Sequence, residues 1–199
     1  MNSPPILKLV LDAQGVTFNA PLLSFFKMYA KKAGISEKDL IFRWHKNVRK
    51  LAWLGQNSDD QLWRELIGDK VDGTKISQEL EEHFCRGPVA DSLKNWSQLV
   101  PIWLLSNHRS HWIIPRLKRF QLDKYFEKLL ISDQTGFIKP QPESFLQVAC
   151  DNIPRNQILI VDDRIQNIDA AASLGFRTIW ANNNTDWVAE IENQITKIK

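Results

Sequence analysis

The chain has 199 residues, a formal net charge of +3 and a hydrophobic content of 43%, which are ordinary for a folded protein of one domain with a small insertion. Lysine and arginine are spread along the chain, so the charge does not indicate a nucleic-acid partner. The longest apolar stretches have about five residues, where a membrane span needs roughly 20. Cys85 and Cys150 stand alone and the N-terminal residues do not resemble a secretory signal, which predicts a reduced, cytoplasmic protein.

The first predicted element is a buried strand over residues 6–11, which ends at Asp12. Its apolar run is long enough for a strand and too short for a buried helix. That run consists of Leu7, Leu9, Val10 and Leu11. Gly15 follows, and its missing Cβ permits a tight turn. Ligands of open α/β sheets bind just outside the carboxyl ends of the strands, so Asp12 is a candidate functional residue.

Residues 20–86 show the periodicity of helices rather than of strands. Apolar residues recur at helical spacing, with breaks at Gly34, at residues 55–58 and at residues 68–73. This pattern predicts an insert of about four helices, which Gly87 and Pro88 bring to an end.

Strands and helices alternate in the rest of the chain. The predicted strands cover residues 101–105, 129–131, 158–161 and 177–180, and the predicted helices cover residues 91–99, 109–120, 143–150, 165–174 and 186–198. Such alternation indicates an α/β fold with a doubly wound parallel sheet. We therefore predict an α/β core formed by residues 1–18 and 88–199, with residues 19–87 as a small helical cap inserted after the first strand.

Polar residues follow several of these predicted strands or lie in the adjoining loops. They are Asp12, Ser106, Asn107, Lys139, Asp162 and Asp163. Carboxylates that converge on one crevice repel one another unless a cation lies between them, and hard oxygen ligands suit Mg²⁺. A hydroxyl group and a lysine are what a phosphate group needs for hydrogen bonds and charge neutralisation. A carboxylate aligned on phosphorus can act as a nucleophile.

In this order and spacing, these residues resemble the motifs of the haloacid dehalogenase (HAD) superfamily of hydrolases. The resemblance rests on Asp12, on Ser106-Asn107 after two leucines, on Lys139-Pro140 after GFI, and on VDDRIQNIDAAASLGF at residues 161–176. It covers nearly the whole chain. It implies a Rossmann-like core, a helical cap of the small C1 type, a Mg²⁺ cofactor and a small phosphorylated molecule as ligand. The similar subgroup includes small-molecule phosphatases, phosphomutases and haloacid dehalogenases.

The resemblance also implies the metal site. Asp12 would be the nucleophile and a Mg²⁺ ligand, and the backbone carbonyl of Gln14 would be a second ligand. Asp163 would be the third protein ligand. Asp162 would act through a water molecule or by contacting the ligands rather than the metal itself. Asn167 would support this acidic loop.

The same resemblance implies a phosphate site. Ser106 and the backbone N–H of Asn107 would hold the phosphoryl oxygens. Lys139 would neutralise the nucleophile and the group that is transferred.

The first motif departs from the phosphatase pattern, because Gln14 stands where phosphatases of the superfamily have a second aspartate. A glutamine amide can orient water but cannot exchange a proton near neutral pH. Three interpretations stay open: a slow or specialised phosphatase, a metal-independent haloacid dehalogenase, and a non-catalytic relative that binds a phosphorylated ligand or partner. His108 or His111 could supply the missing proton, although both are also typical of an exposed helix start.

One face of a cap helix is predicted to be basic. Arg43, Lys46, Asn47 and Lys50 recur at helical spacing, with His45 nearby. This face, and Arg43 in particular, could bind an anionic substrate, although a solvated surface is the simpler interpretation. The sequence is compatible with a monomer or a homodimer and indicates no membrane partner.

Overall fold

The computed structural model of the protein describes residues 4–69 and 71–196, and of Asn47 the backbone alone. At its centre is a parallel five-stranded sheet in the order β3-β2-β1-β4-β5. The strands are β1 Lys8–Leu11, β2 Ile102–Ser106, β3 Lys128–Ile131, β4 Ile158–Asp162 and β5 Arg177–Trp180. The predicted doubly wound sheet is confirmed. The ends of each predicted strand lie within two residues of the ends of an observed strand.

The order of the strands places β1 in the middle of the sheet, between β2 and β4. The chain runs from β1 outward through β2 and β3, and then returns to place β4 on the other side of β1. Leu11 is paired with Val161, so Asp12 and Asp162 leave the sheet side by side. A reversal of strand order opens a crevice at the carboxyl ends of the strands, where α/β proteins bind ligands.

Helices fill the connections between the strands. Between β1 and β2 lie α1 Leu22–Ala33, α2 Glu37–Arg43, α3 Arg49–Trp53, α4 Asp59–Ile67, α5 Gly73–Glu82 and α6 Leu93–Trp96. Further along the chain lie α7 Ser110–Arg119, α8 Ser132–Thr135, α9 Pro142–Leu146, α10 Ile165–Ser173 and α11 Trp187–Ile195. Helices that could cross a bilayer, which must be both long and apolar, are not found in the described part of the chain.

Three of the predicted helices are shorter than their sequence pattern suggested. The predicted helix 91–99 is α-helical only at α6, because its other residues form turns. The predicted helix 143–150 begins as α9 and continues as a 3₁₀ turn at Gln147–Ala149. The predicted helix 186–198 is observed as α11, and Ile198 lies outside the described residues.

The first strand also differs from its prediction in which side chains it buries. Leu7 is 38% exposed, whereas Lys8 is fully buried. Three contacts compensate for the burial of the Lys8 ammonium group. It donates to the Val148 carbonyl at 2.8 Å, lies 2.6 Å from the Asp151 carboxylate and packs on the Trp103 ring. A buried cation needs such partners to offset the loss of water.

Residues 22–82, which we call the helical insert, form the predicted set of four helices. The second of them runs from α2 to α3 through a π-helical turn at Trp44–Val48. The chain enters and leaves the insert along adjacent segments, where Phe18 and Arg86 form an antiparallel bridge. The exact division into core and cap stays a prediction, since one apolar cluster runs from the sheet into the insert.

Polar contacts from α7 and the residue before it attach the insert to the core. The buried Arg109 donates to Asp59 at 2.7 Å, and Trp112 Nε1 donates to the same carboxylate at 3.0 Å. Arg116 is fully buried and is paired through two nitrogens with Glu81 on α5. These contacts join the helical insert to the part of the core that follows β2.

We expect Asp59→Ala to lower the free energy of unfolding by about 3–5 kcal/mol, because it leaves the Arg109 guanidinium buried without its carboxylate. Urea denaturation measures this loss. Glu65→Ala, on the exposed side of the same helix, is the matched control and should change stability by less than about 0.5 kcal/mol. Equal losses in both variants would show that the Arg109 pair does not hold the insert.

Candidate active site

The carboxyl ends of β1, β2 and β4 bring the predicted site residues to one crevice. Asp12, Gln14, Ser106, Asn107, Lys139 and Asp163 line it together with residues of the helical insert. Asp162 lies just beneath, fully buried. The residues that the sequence predicted for the metal and phosphate sites therefore all lie in or directly beneath the crevice, whereas Arg43 does not.

Lys139 is the centre of this cluster. Its Nζ donates to Asp12 Oδ1 at 2.8 Å, to the Leu105 carbonyl at 2.7 Å and to Asp162 Oδ2 at 2.5 Å. Burial alone would lower the pKa of this lysine, but the charges of Asp12 and Asp162 outweigh burial and raise it. Lys139 therefore stays protonated and links the ends of three strands.

The carboxyl group of Asp12 has a strongly raised pKa. Burial raises its pKa to about 7, and the neighbouring Asp162 and Asp163 add to that effect, whereas Lys139 opposes it. A carboxylate with this pKa is poorly stabilised by its protein neighbours alone. A cation in the crevice would stabilise its ionised form.

Three carboxylates could hold such a cation. Asp12, Asp162 and Asp163 each offer an oxygen, and these oxygens lie within 4.8 Å of one another. Asp162 is already engaged, because it also accepts two hydrogen bonds from Asn167 and one from the Arg164 N–H. Within the described residues, Asp12 Oδ2 and the carboxylate of Asp163 accept no hydrogen bond. Asp12 and Asp163 therefore offer the oxygens that are available to a hard divalent cation, and Asp162 lies behind them, held by Lys139 and Asn167.

A tight turn after β1 brings the acidic loop close. Thr17 Oγ1 donates to the Asp12 carbonyl at 2.8 Å, and the Phe18 N–H donates to the Ala13 carbonyl at 2.8 Å. At the apex, Gly15 has a φ of +77°, and a Cβ there would lie only 2.7 Å from Asp163 Oδ2. Glycine is therefore required both by the backbone conformation and by the approach of Asp163.

Asn107 holds the loop that carries Lys139. Its side-chain amide donates to the Lys139 carbonyl and accepts from the Lys139 N–H, both at 2.8 Å. The neighbouring Ser106 is buried at the end of β2 and faces the same crevice. The sequence indicated Asn107 as a phosphate contact, and its side chain has the further task of positioning the lysine.

Gln14 lies against a buried histidine. The structure places Gln14 Nε2 3.3 Å from His108 Nε2, and His108 Nδ1 accepts a hydrogen bond from the Arg109 N–H at 2.9 Å. A neutral imidazole that accepts at Nδ1 carries its proton on Nε2, so we assign the Gln14 amide with Oε1 accepting from it. The NH₂ group of Gln14 is then turned toward the crevice.

Neither histidine replaces the acid that is missing at position 14. His108 is covered by the rings of Trp53 and Trp112, and burial together with the charges of nearby arginines lowers its pKa well below the usual value. Its Nε2 is directed at Gln14 rather than at the open crevice. His111 is exposed, and its Nε2 lies 3.0 Å from the Asp59 carboxylate of the helical insert, away from the residues that line the crevice. The idea that His111 serves the site is therefore wrong, and His108 orients Gln14.

Arg43 is the predicted site residue that the structure places elsewhere. Its guanidinium donates to the Leu66 carbonyl at 3.0 Å, within the helical insert and outside the crevice. The reason is the π-helical turn, which holds an extra residue and so rotates the following residues by roughly 100° relative to a regular helix. Of the other residues predicted for this face, His45, Lys46 and Lys50 do line the crevice, and Arg49 lines it with them. The sequence analysis missed Arg49, and the side chain of Asn47 lies outside the described residues.

Comparison with known proteins identifies the family. A model of the haloacid dehalogenase-like hydrolases matches residues 8–175, which is most of the chain, and the protein therefore belongs to this family. A D-ribitol-5-phosphate phosphatase of Bacteroides thetaiotaomicron is 37% identical over 71 residues, which make up 35% of this chain and 34% of that protein. The chain spans between 28% and 52% of the length of the curated relatives that it matches.

Solved structures show the same fold. A HAD-like hydrolase of Porphyromonas gingivalis superposes with a TM-score of 0.77 at 22% identity and covers 98% of this chain and 100% of its own. A HAD family enzyme of Bacteroides thetaiotaomicron, in complex with magnesium and inorganic phosphate, superposes with a TM-score of 0.73 at 24% identity and covers 93% and 98%. At these identities the likeness concerns the fold alone.

We expect Gly15→Ala to weaken divalent-cation binding at least tenfold, because the new Cβ would displace Asp163. Calorimetric titration with Mg²⁺ measures the affinity. Gly34→Ala is the matched control, since Gly34 has a similar φ of +68° but no neighbouring atom within 4 Å. Both variants carry backbone strain of about 1–2 kcal/mol, but only the first should lose the metal. Unchanged affinity in Gly15→Ala would contradict the placement of Asp163 in the metal site.

Proposed function

We propose that this protein is a Mg²⁺-dependent hydrolase of a small phosphorylated molecule, with Asp12 as the nucleophile. The observation that carries the proposal is the Lys139 ammonium between Asp12 and Asp162, beside the unpaired carboxylate of Asp163. This arrangement offers a nucleophile, a fixed positive charge and a set of oxygen ligands at one point. The phosphatase that shares 37% identity over 71 residues, and the structural neighbour solved with magnesium and phosphate, support the same interpretation.

Asp12, Asp163 and the backbone carbonyl of Gln14 would hold the metal, with Asp162 behind them. The donor set fits a hard cation, because all of these atoms are oxygens and the carboxylates have too few protein partners to be stable alone. When bound, Mg²⁺ supplies positive charge that neutralises the phosphoryl oxygens and lowers the pKa of Asp12.

The chain's own residues would perform two displacement steps. An oxygen of Asp12 attacks phosphorus while the bond from phosphorus to the leaving oxygen breaks, which gives an aspartyl-phosphate. Ser106 and the Asn107 N–H hold the phosphoryl oxygens, and Lys139 neutralises the charge on them. Water then attacks the same phosphorus while the bond to Asp12 breaks, and the protons of that water stay on the released phosphate or pass to solvent, which leaves Asp12 as a free carboxylate.

Gln14 limits how the leaving oxygen can be protonated. Its NH₂ group can donate a hydrogen bond to the leaving oxygen, but it has no proton to give at neutral pH. The proton must come from water or from the substrate itself. This favours substrates with a good leaving group or an acidic group of their own, and it explains how the protein can be a slow or specialised enzyme.

We expect Gln14→Asp to raise Mg²⁺-dependent phosphate release by about 10²–10⁴-fold, because a carboxyl group at position 14 can exchange protons. Release of phosphate from a panel of phosphomonoesters measures this gain. Gln14→Asn, a shorter amide without acidity, is the matched control and should not gain activity. Asp12→Asn serves as the inactive reference.

The wild-type rate separates the alternatives. Turnover well above that of Asp12→Asn supports an enzyme in which Gln14 is a specialisation. Turnover in Gln14→Asp alone favours a protein that binds a phosphorylated ligand without cleaving it. If neither protein releases phosphate, the proposal fails, and metal-free hydrolysis of 2-haloacids becomes the next assay because the fold is shared with dehalogenases.

A further inference from the structure

The crevice extends well beyond the space that a phosphoryl group needs. Its volume is about 670 Å³, which lies within the range of pockets that enclose whole small molecules. Asp12 and Asp163 are its acidic lining residues. Apart from Lys139, its lysine and arginine lining residues are Lys46, Arg49, Lys50 and Arg164.

Two of these cations come from different parts of the chain. Arg49 lies at the start of α3 in the helical insert, and Arg164 directly precedes α10 in the core. Arg49 is half-buried, and one of its Nη atoms lies 3.2 Å from His45 Nδ1, which orients the guanidinium. The insert and the core therefore each supply one arginine to the lining of the same crevice.

Neither arginine is neutralised by the protein around it. Within residues 4–69 and 71–196, no carboxylate oxygen lies within 4.0 Å of the guanidinium of Arg49 or of Arg164. The side chain of Arg164 also makes no hydrogen bond to the described residues. The charge of Arg164 acts on the Asp163 carboxylate, and a metal ion at Asp163 would engage that carboxylate.

The two positive charges also oppose each other. The pKa of Arg49 is lowered by burial and by the charge of Arg164, and the pKa of His45 is lowered by burial and then by both arginines. An anion bound between the two guanidinium groups would offset this repulsion. Arg49 is half-buried, whereas Arg164 is exposed at the mouth of the crevice that both residues line.

We propose that Arg49 and Arg164 form a subsite for a second anionic group of the substrate, a carboxylate or a second phosphate, while its phosphoryl group lies at Asp12. The subsite rests on the proposed function, because it assumes that a phosphoryl group occupies the other end of the same crevice. Arginine suits this task, since its planar guanidinium can donate two parallel hydrogen bonds to a carboxylate or phosphate. The substrate class is therefore a phosphorylated acid or a bisphosphate.

Ligand pairs that differ only in the second group test the subsite. Glycerol 3-phosphate and 3-phosphoglycerate differ by one carboxylate, and fructose 6-phosphate and fructose 1,6-bisphosphate differ by one phosphate. Calorimetry with the Asp12→Asn variant and Mg²⁺ measures their binding without turnover, and inorganic phosphate serves as the probe for the Asp12 end alone.

We expect the more acidic member of at least one pair to bind about 10- to 100-fold more tightly. The pair that shows the preference identifies the second group as a carboxylate or a phosphate. Arg49→Gln and Arg164→Gln, each in the same background, should remove that preference and leave the affinity for inorganic phosphate unchanged. Lys38→Gln removes one exposed positive charge from α2 outside the crevice and should retain the preference.

The outcomes separate this inference from the proposed function. If inorganic phosphate binds but neither pair shows a preference, or if the preference survives in both arginine variants, the subsite is wrong and the phosphate site stands. If inorganic phosphate does not bind and the wild type releases none, the proposed function fails and the subsite fails with it.

Discussion

The ammonium group of Lys139 is the contact on which the rest of the site depends. It lies between Asp12 and Asp162 and also donates to the carbonyl at the end of β2, so one buried charge joins three adjacent strands. Without it, three carboxylates would meet in a poorly solvated crevice with nothing to offset their repulsion. With it, two carboxylates are held in place, and Asp12 and Asp163 keep oxygens free for a cation.

The surrounding loops serve to hold that geometry. Asn107 fixes the backbone of Lys139, Asn167 fixes Asp162, and Gly15 lets the turn after β1 pass within contact distance of Asp163. These residues act on the charged groups rather than on a ligand. The sheet supports them by placing β4 directly beside β1, because a doubly wound order brings those two carboxyl ends together.

Side chains of the helical insert act on the residues of the site. Trp53 covers His108, and His108 in turn orients Gln14, so a residue of the insert acts on the core residue that departs from the phosphatase pattern. Arg49 reaches the crevice from the same helix. Arg109, which directly precedes α7, and Arg116 within α7 join the insert to the core through ion pairs with Asp59 and Glu81.

The sequence by itself determined the five strands, the helical insert and the acidic residues at the strand ends, because periodicity and short motifs are local properties of a chain. It did not determine that Lys8 would be buried and Leu7 exposed, since the partners of Lys8 lie about 140 residues away. It placed Arg43 in the site and missed Arg49, because a π-helical turn changes which residues share a face and leaves no clear signal in the spacing. Only the tertiary structure paired Gln14 with His108 and brought Arg49 near Arg164, since these residues come from distant segments that packing alone brings together.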